Sequence, residues 1–145
     1  MRAIAIGAMK FEIPDWLDAR DENGTLVAYP PQTDYANVRV SVRTIATEND
    51  KPSLGAGERI VRSIATKKQR QLHEENGKVW YSYSEAASEG SPGSSITFWH
   101  VGVGAHMVLV SCFIDSGEGD AATKARVMDT VLPLIRSFRA NDTSV

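Results

Sequence analysis

Cysteine is almost absent from this chain: Cys112 is the only one in 145 residues, so no disulfide can close within it. That count suits a reducing compartment, and the cytoplasm is the expected location. Long apolar runs are missing too. None approaches the roughly 18 residues that a bilayer crossing requires, so membrane insertion is not expected. The opening MRAIAIGAMKFEIPDW has one basic residue before an apolar stretch that Gly7 and Lys10 interrupt, which is too short and broken for a secretory leader. Positive charge is not in excess either. Sixteen Lys and Arg against eighteen Asp and Glu leave a net charge of −2, so no uniform basic field exists to hold a polyanion, and nucleic acid is excluded as an expected partner.

The remaining composition, 42% apolar and 23% charged, is that of a globular protein, and no linker divides the chain, so one domain over residues 1–145 is expected. Ile4, Ile6, Met9, Phe11 and Ile13 come near enough to alternation to predict a first strand, with Gly7 as a bulge or turn and Pro14 as its end. Asn23-Gly24 and Asn76-Gly77 each lie between segments of strand character. Both residues of such a pair accept positive φ, which the tight hairpin turn demands. The first pair predicts arms over WLDARDE and TLVAY, with Leu26 and Ala28 on one face and Val27 and Tyr29 on the other. The second predicts a hairpin in which Val79, Tyr81 and Tyr83 share a face and Trp80 takes the opposite one. Its first arm is expected to begin within the KKQRQ segment.

Val38, Val40 and Val42 alternate with Arg39, Ser41 and Arg43, predicting a strand with one dry and one wet face. Residues 48–54 read as a loop, and Ile60, Val61, Ile64 and Ala65 have helical spacing over 57–66. The small polar run at 86–95 reads as a mobile loop. ITFWHVG and HMVLVSCFI then form a last hairpin, whose second arm is apolar enough to predict a central strand covered on both faces. Asp120 suits a helix N-terminus. Val127, Val131, Leu134 and Phe138 continue one stripe beyond it, and Pro133 inside the stripe predicts a kink.

Candidate chemistry is sparse. His100 and His106 flank the last turn and would face each other if the chain reverses within Gly102–Ala105, but two imidazoles lack the third and fourth ligands of a metal site. Cys112 would stand about 20 Å further along an extended strand, and its apolar neighbours offer neither a base nor a positive potential to activate the thiol. Gly102-Val103-Gly104 falls between two strands, not at a helix start, and so is no nucleotide-binding fingerprint. Lys67, Lys68 and Arg70 beside Arg59 and Arg62 read as a solvated helix end. The loop carboxylates sit in no apolar setting that would raise a pKa for acid catalysis. No catalytic residue, metal or cofactor is therefore expected. Aromatic and imidazole side chains remain as candidates for partner contact: Trp16, Trp80, Tyr83, Trp99, His100 and His106.

Phe11-Glu12-Ile13-Pro14-Asp15-Trp16 resembles the F-x-(I/L)-P-x-x-W opening of PsbP-like domains, and Leu134-Ile135-Arg136-Ser137-Phe138-Arg139 resembles their closing I-x-x-S-F/L. Trp80 and Phe98-Trp99 lie between. The resemblance implies an α+β fold, an antiparallel sheet of six or seven strands flanked by helices in an α/β/α sandwich. The superfamily includes photosystem II extrinsic proteins, a Ran-binding protein, DcrB-like envelope proteins and the cytosolic adaptor chaperones of type VI secretion, and it implies no shared catalytic residues. The expected function is a non-enzymatic bacterial module that binds another protein, such as an immunity protein or an adaptor chaperone for a secreted toxin. The alternative is a small-ligand carrier using a cleft between sheet and helices, with Trp80, Trp99 and Tyr83 in its wall. An enzyme would have only His100, His106 and Asp115 to draw on. Homodimerisation through an exposed edge strand such as 38–45 is a further expectation.

Overall fold

The computed structural model describes residues 1–45 and 53–140. The chain runs β1 (Arg2–Ile6), β2 (Met9–Ile13), β3 (Asp18–Glu22), β4 (Thr25–Tyr29), β5 (Ala36–Thr44), α1 (Ala56–Lys67), β6 (His73–Glu75), β7 (Lys78–Ala86), β8 (Ser95–Val103), β9 (His106–Ile114), α2 (Ala121–Asp129), α3 (Val131–Ser137) and β10 (Arg139–Ala140). Seven strands form one antiparallel sheet in the order β3-β4-β5-β9-β8-β7-β6, and β1-β2-β10 form a smaller one. This is the α+β fold expected. Of the 48–54 loop, only Ser53 and Leu54 lie within the described residues.

Register assigns every side chain of the large sheet to a face. One face, here the inner, carries Val38 and Val40 of β5, Val108, Val110 and Cys112 of β9, Trp99 and Val101 of β8 and Trp80 of β7. It is closed over by Ile6, Met9, Phe11 and Ile13 of the β1–β2 hairpin and by Val127, Val131, Leu134 and Ile135 of α2 and α3. Phe11 meets Phe138 edge to face with ring centroids 5.4 Å apart, a favoured aromatic geometry. The outer face receives α1, whose Val61 and Ala65 pack on Val79 and Tyr81.

Several sequence expectations change here. The single first strand is two, reversed at Gly7, whose φ of 55° sets the turn. The 38–45 segment is no outermost strand: β5 pairs with β9 along its length and with β4 over Val38–Val40, and the outermost strands of the large sheet are β3 and the three-residue β6. The KKQRQ segment is neither strand nor helix beyond Lys67; Gln69 takes positive φ and the chain turns before β6. The kinked last helix is broken instead, at Thr130. Pro133 then falls in the first turn of α3, where its missing N–H removes no intrahelical bond. Asp120 caps α2 as expected, its carboxylate accepting from the N–H groups of Ala122 and Thr123. Among the described residues no helix is long and apolar enough to cross a membrane.

Candidate functional site: the open half of the outer sheet face

Helix α1 is seated by two glycines. A Cβ on Gly57 would lie 2.2 Å from the His106 carbonyl oxygen, and one on Gly102 would lie 2.7 Å from the Glu58 Cα. Gly55, the residue before the helix, offers no capping side chain, so the Gly104 carbonyl accepts from the N–H groups of Gly57 and Glu58 instead. The helix thereby lies on the β8–β9 turn and runs over β7 and β8. On β9 and β5 the same face is left without a layer among the described residues.

The uncovered surface is built of cross-strand rows. Ser41, Leu109 and His100 form one, Arg39, Ser111 and Phe98 the next, and Asn37, Phe113 and Ile96 the third; on β7 the last two continue to Tyr83 and Glu85, while the first ends at Tyr81 beneath α1. Leu109 is 37% exposed although its strand is hydrogen-bonded on both sides. Phe98 and Tyr83 rings stand 5.3 Å apart. His100 stacks on Tyr81 at 4.8 Å, and its Nε2 shares a hydrogen bond of 3.1 Å with the Tyr83 hydroxyl. Burial lowers the His100 pKa from its ordinary 6.5, and Lys68 lowers it further, so the ring is neutral at pH 7. The Arg70 guanidinium lies 4.8 Å from the centre of the Tyr83 ring, a cation–π contact.

Two hollows lie along this face. One of about 270 Å³ is lined by Ser41, Arg43, His100, Met107 and Leu109. The other, about 540 Å³, lies at the far end between the sheet and residues 86–89, with Ile96, Phe98 and Phe113 as its floor. The 86–95 loop, expected to be mobile, is tied down at several points. Ala87 N–H donates to the Ser94 carbonyl at 2.9 Å, Ser116 N–H donates to Ser94 Oγ, and Ser116 Oγ donates to the Pro92 carbonyl. Asp115 accepts from the N–H groups of Gly117 and Glu118. These bonds and its contacts to Ser91 hold its carboxyl below the usual range.

Of the residues expected to contact a partner, only Tyr83 and His100 border this surface. Trp80 and Trp99 fill the core on the inner face, so they can line neither a partner surface nor an outer-face cleft. Trp16 packs at the rim of that core beneath Arg126, 4.0 Å from the ring centre. His106 is buried on the inner side at the start of β9, its Nδ1 in a hydrogen bond of 2.9 Å with Thr44 Oγ1. The two-residue turn Gly104-Ala105 sets His106 opposite Val103 and His100 opposite Leu109, so the imidazoles point to opposite faces and do not meet. Asp115 follows the other end of β9, so the three groups named for an enzyme do not converge. Cys112 is buried on the inner face, and burial pushes its thiol up to about 12. Among the described residues, no three His, Cys, Asp or Glu side chains gather as metal ligands.

The reading of β9 as covered on both faces missed Leu109 and Phe113. The signal was available one strand away: β5 alternates Val with Arg39, Ser41 and Arg43, and neighbouring strands share their faces.

No protein-family profile and no curated protein matches the chain. Solved structures do. A crystal structure from Bacteroides thetaiotaomicron VPI-5482 superposes with a TM-score of 0.66 at 16% identity, covering 97% of this chain and 49% of the other, so the chain spans about half its length. The solution structure of cyanobacterial PsbP (CyanoP) from Synechocystis sp. PCC 6803 superposes with a TM-score of 0.53 at 14% identity, covering 92% and 86%. At these identities the likeness establishes the fold, which is PsbP-like.

Proposed function

We propose that the protein is a non-enzymatic binding module that engages another protein through the open half of its outer sheet face. The observation that carries this is Leu109, more than a third exposed on an interior strand of the sheet. The strand there is hydrogen-bonded on both sides, and Phe98 and Phe113 follow in the next two rows of the same face, bordered on the β5 side by Arg39, Ser41 and Arg43. An apolar centre with a polar rim is the anatomy of a protein interface. Fully burying an exposed leucine is worth about 1.5–3 kcal/mol, so covering the 37% of Leu109 still exposed would contribute roughly 0.5–1 kcal/mol. The particular form we favour is a cytoplasmic bacterial immunity protein or an adaptor chaperone for a type VI secreted toxin. It rests on the PsbP-like resemblance and the single buried cysteine, and genes neighbouring this one would discriminate the two.

The test is purification of the full chain from its native host beside Leu109→Glu, with bound proteins quantified by mass spectrometry. A near-stoichiometric partner on the wild type, lost from the variant at an unchanged unfolding midpoint, is the expected result. A partner retained by the variant, or none on the wild type, refutes the reading.

A second reading, a small-ligand carrier, is favoured by one observation only: the hollow of about 540 Å³ falls within the range of ligand sites. It is a furrow on the sheet surface and not a cleft between sheet and helices. A metabolite that raises the unfolding midpoint of the wild type, but not of Phe113→Ala, would support it.

A further inference from the structure

We propose that the furrow end beside residues 86–89 selects the partner by seating a basic segment that carries a bulky apolar side chain. This rests on the protein-binding reading above and names the chemistry of what is bound. The floor there is apolar, made by Ile96, Phe98 and Phe113, while Glu85 and Glu89 stand on the wall. A neighbouring hollow of about 310 Å³ shares Glu89 and Phe113 and adds the carboxylates of Asp34 and Glu118. Asp115, also there, is already engaged with the N–H groups of Gly117 and Glu118.

Positive charge does not balance these groups. Among the described residues Arg39 is the one cation in either lining, and Glu22 meets it at 3.5 Å. Arg70 is drawn over the ring of Tyr83. Among the described residues neither Glu85 nor Glu89 makes a salt bridge. The acidic wall is also held in shape, because the loop that carries Glu89 is bonded to Ser116 through Ser94 Oγ and the Pro92 carbonyl. An apolar floor inside a preformed acidic rim is complementary to an amphipathic cationic segment. An acidic one would place like charges together.

Two labelled peptides of matched apolar pattern, one alternating Leu and Phe with Lys, the other with Glu in place of Lys, are titrated with the full chain by fluorescence anisotropy. The basic peptide should bind, should weaken as salt rises, and should lose roughly five- to tenfold in affinity with the Glu85→Gln/Glu89→Gln variant. Asp129→Asn, exposed on α2 behind the opposite face of the sheet, should change affinity less than twofold. The proposal is overturned if the basic peptide fails to bind, if the acidic peptide binds as tightly, or if the double variant binds unchanged. It is equally overturned if sedimentation shows a wild-type dimer that the double variant dissolves, since a second copy is then the occupant. Should the double variant fold poorly, the salt dependence on the wild type decides. If this experiment fails while Leu109→Glu still releases the native partner, the binding reading stands and only the basic character is wrong.

Discussion

The two faces of the seven-stranded sheet differ in how completely they are sealed. On the inner face, Val38, Val40, Val101, Val108, Val110 and Cys112 are all at most 1% exposed, because a hairpin and two helices share the work of covering them. On the outer face one helix covers part of the area, and Leu109, Phe98 and Phe113 are left at the surface or half-buried. The same strands supply both faces, so the backbone is equally ordered beneath each. The inner face therefore carries the stability of the fold, while the outer face offers rigid apolar groups whose loss the fold can tolerate. That asymmetry is what makes a binding role separable from folding by mutation.

The largest expected effect tests the sealed side. Phe11 is fully buried between the small sheet and α3 and meets Phe138 edge to face. Phe11→Ala should cost about 3–5 kcal/mol, from lost transfer energy plus the cavity left behind. Urea unfolding would show it as a large drop in midpoint at unchanged slope. A loss below about 1 kcal/mol would mean that the inner face is not the tight layer described, and the contrast would fail.

A smaller effect probes where the outer layer is fastened. Gly102→Ala places a methyl group 2.7 Å from the Glu58 Cα and 2.8 Å from the Gly57 carbonyl oxygen. Both walls are backbone, so α1 must lift away, at about 1–3 kcal/mol. Hydrogen exchange should quicken in α1 and leave the β1–β2 hairpin unaltered. Equal loosening of both would show that the two layers unfold as one unit.

The local features were legible in the sequence. Both Asn-Gly turns form, with Asn23 and Asn76 at positive φ, the valine alternation of β5 is real, and Asp120 caps its helix. What escaped depends on register or on distant neighbours. His100 and His106 are parted by a turn of two residues; a turn with an odd number would have put them on one face. Whether β5 is an edge depends on β9, about seventy residues later, pairing beside it. The candidate surface was only half visible: Tyr83 and His100 were named, but Leu109 and Phe113 were hidden inside a run that looks wholly interior. The tryptophans drew attention for the opposite reason, since large aromatics serve cores as readily as interfaces.

The smallest effect concerns the boundary between covered and open outer face, where His100 stacks on Tyr81. Its folded pKa lies below the ordinary 6.5, first through burial and then through Lys68. As pH falls through 6.5 the unfolded chain takes up the proton before the folded one does. The contribution of the neutral ring is therefore complete above that value and is lost as pH falls through the folded pKa. Asp15, Asp115 and Asp120 have carboxyls held below 3.8, so their own losses fall in more acid solution. His100→Phe keeps a stacking ring without the titration. Urea midpoints from about pH 7 down to about pH 5 should decline more steeply for the wild type than for the variant. Identical slopes would mean that the imidazole is as well solvated as in the unfolded chain, and that the open surface reaches further toward α1 than the stacked rings suggest.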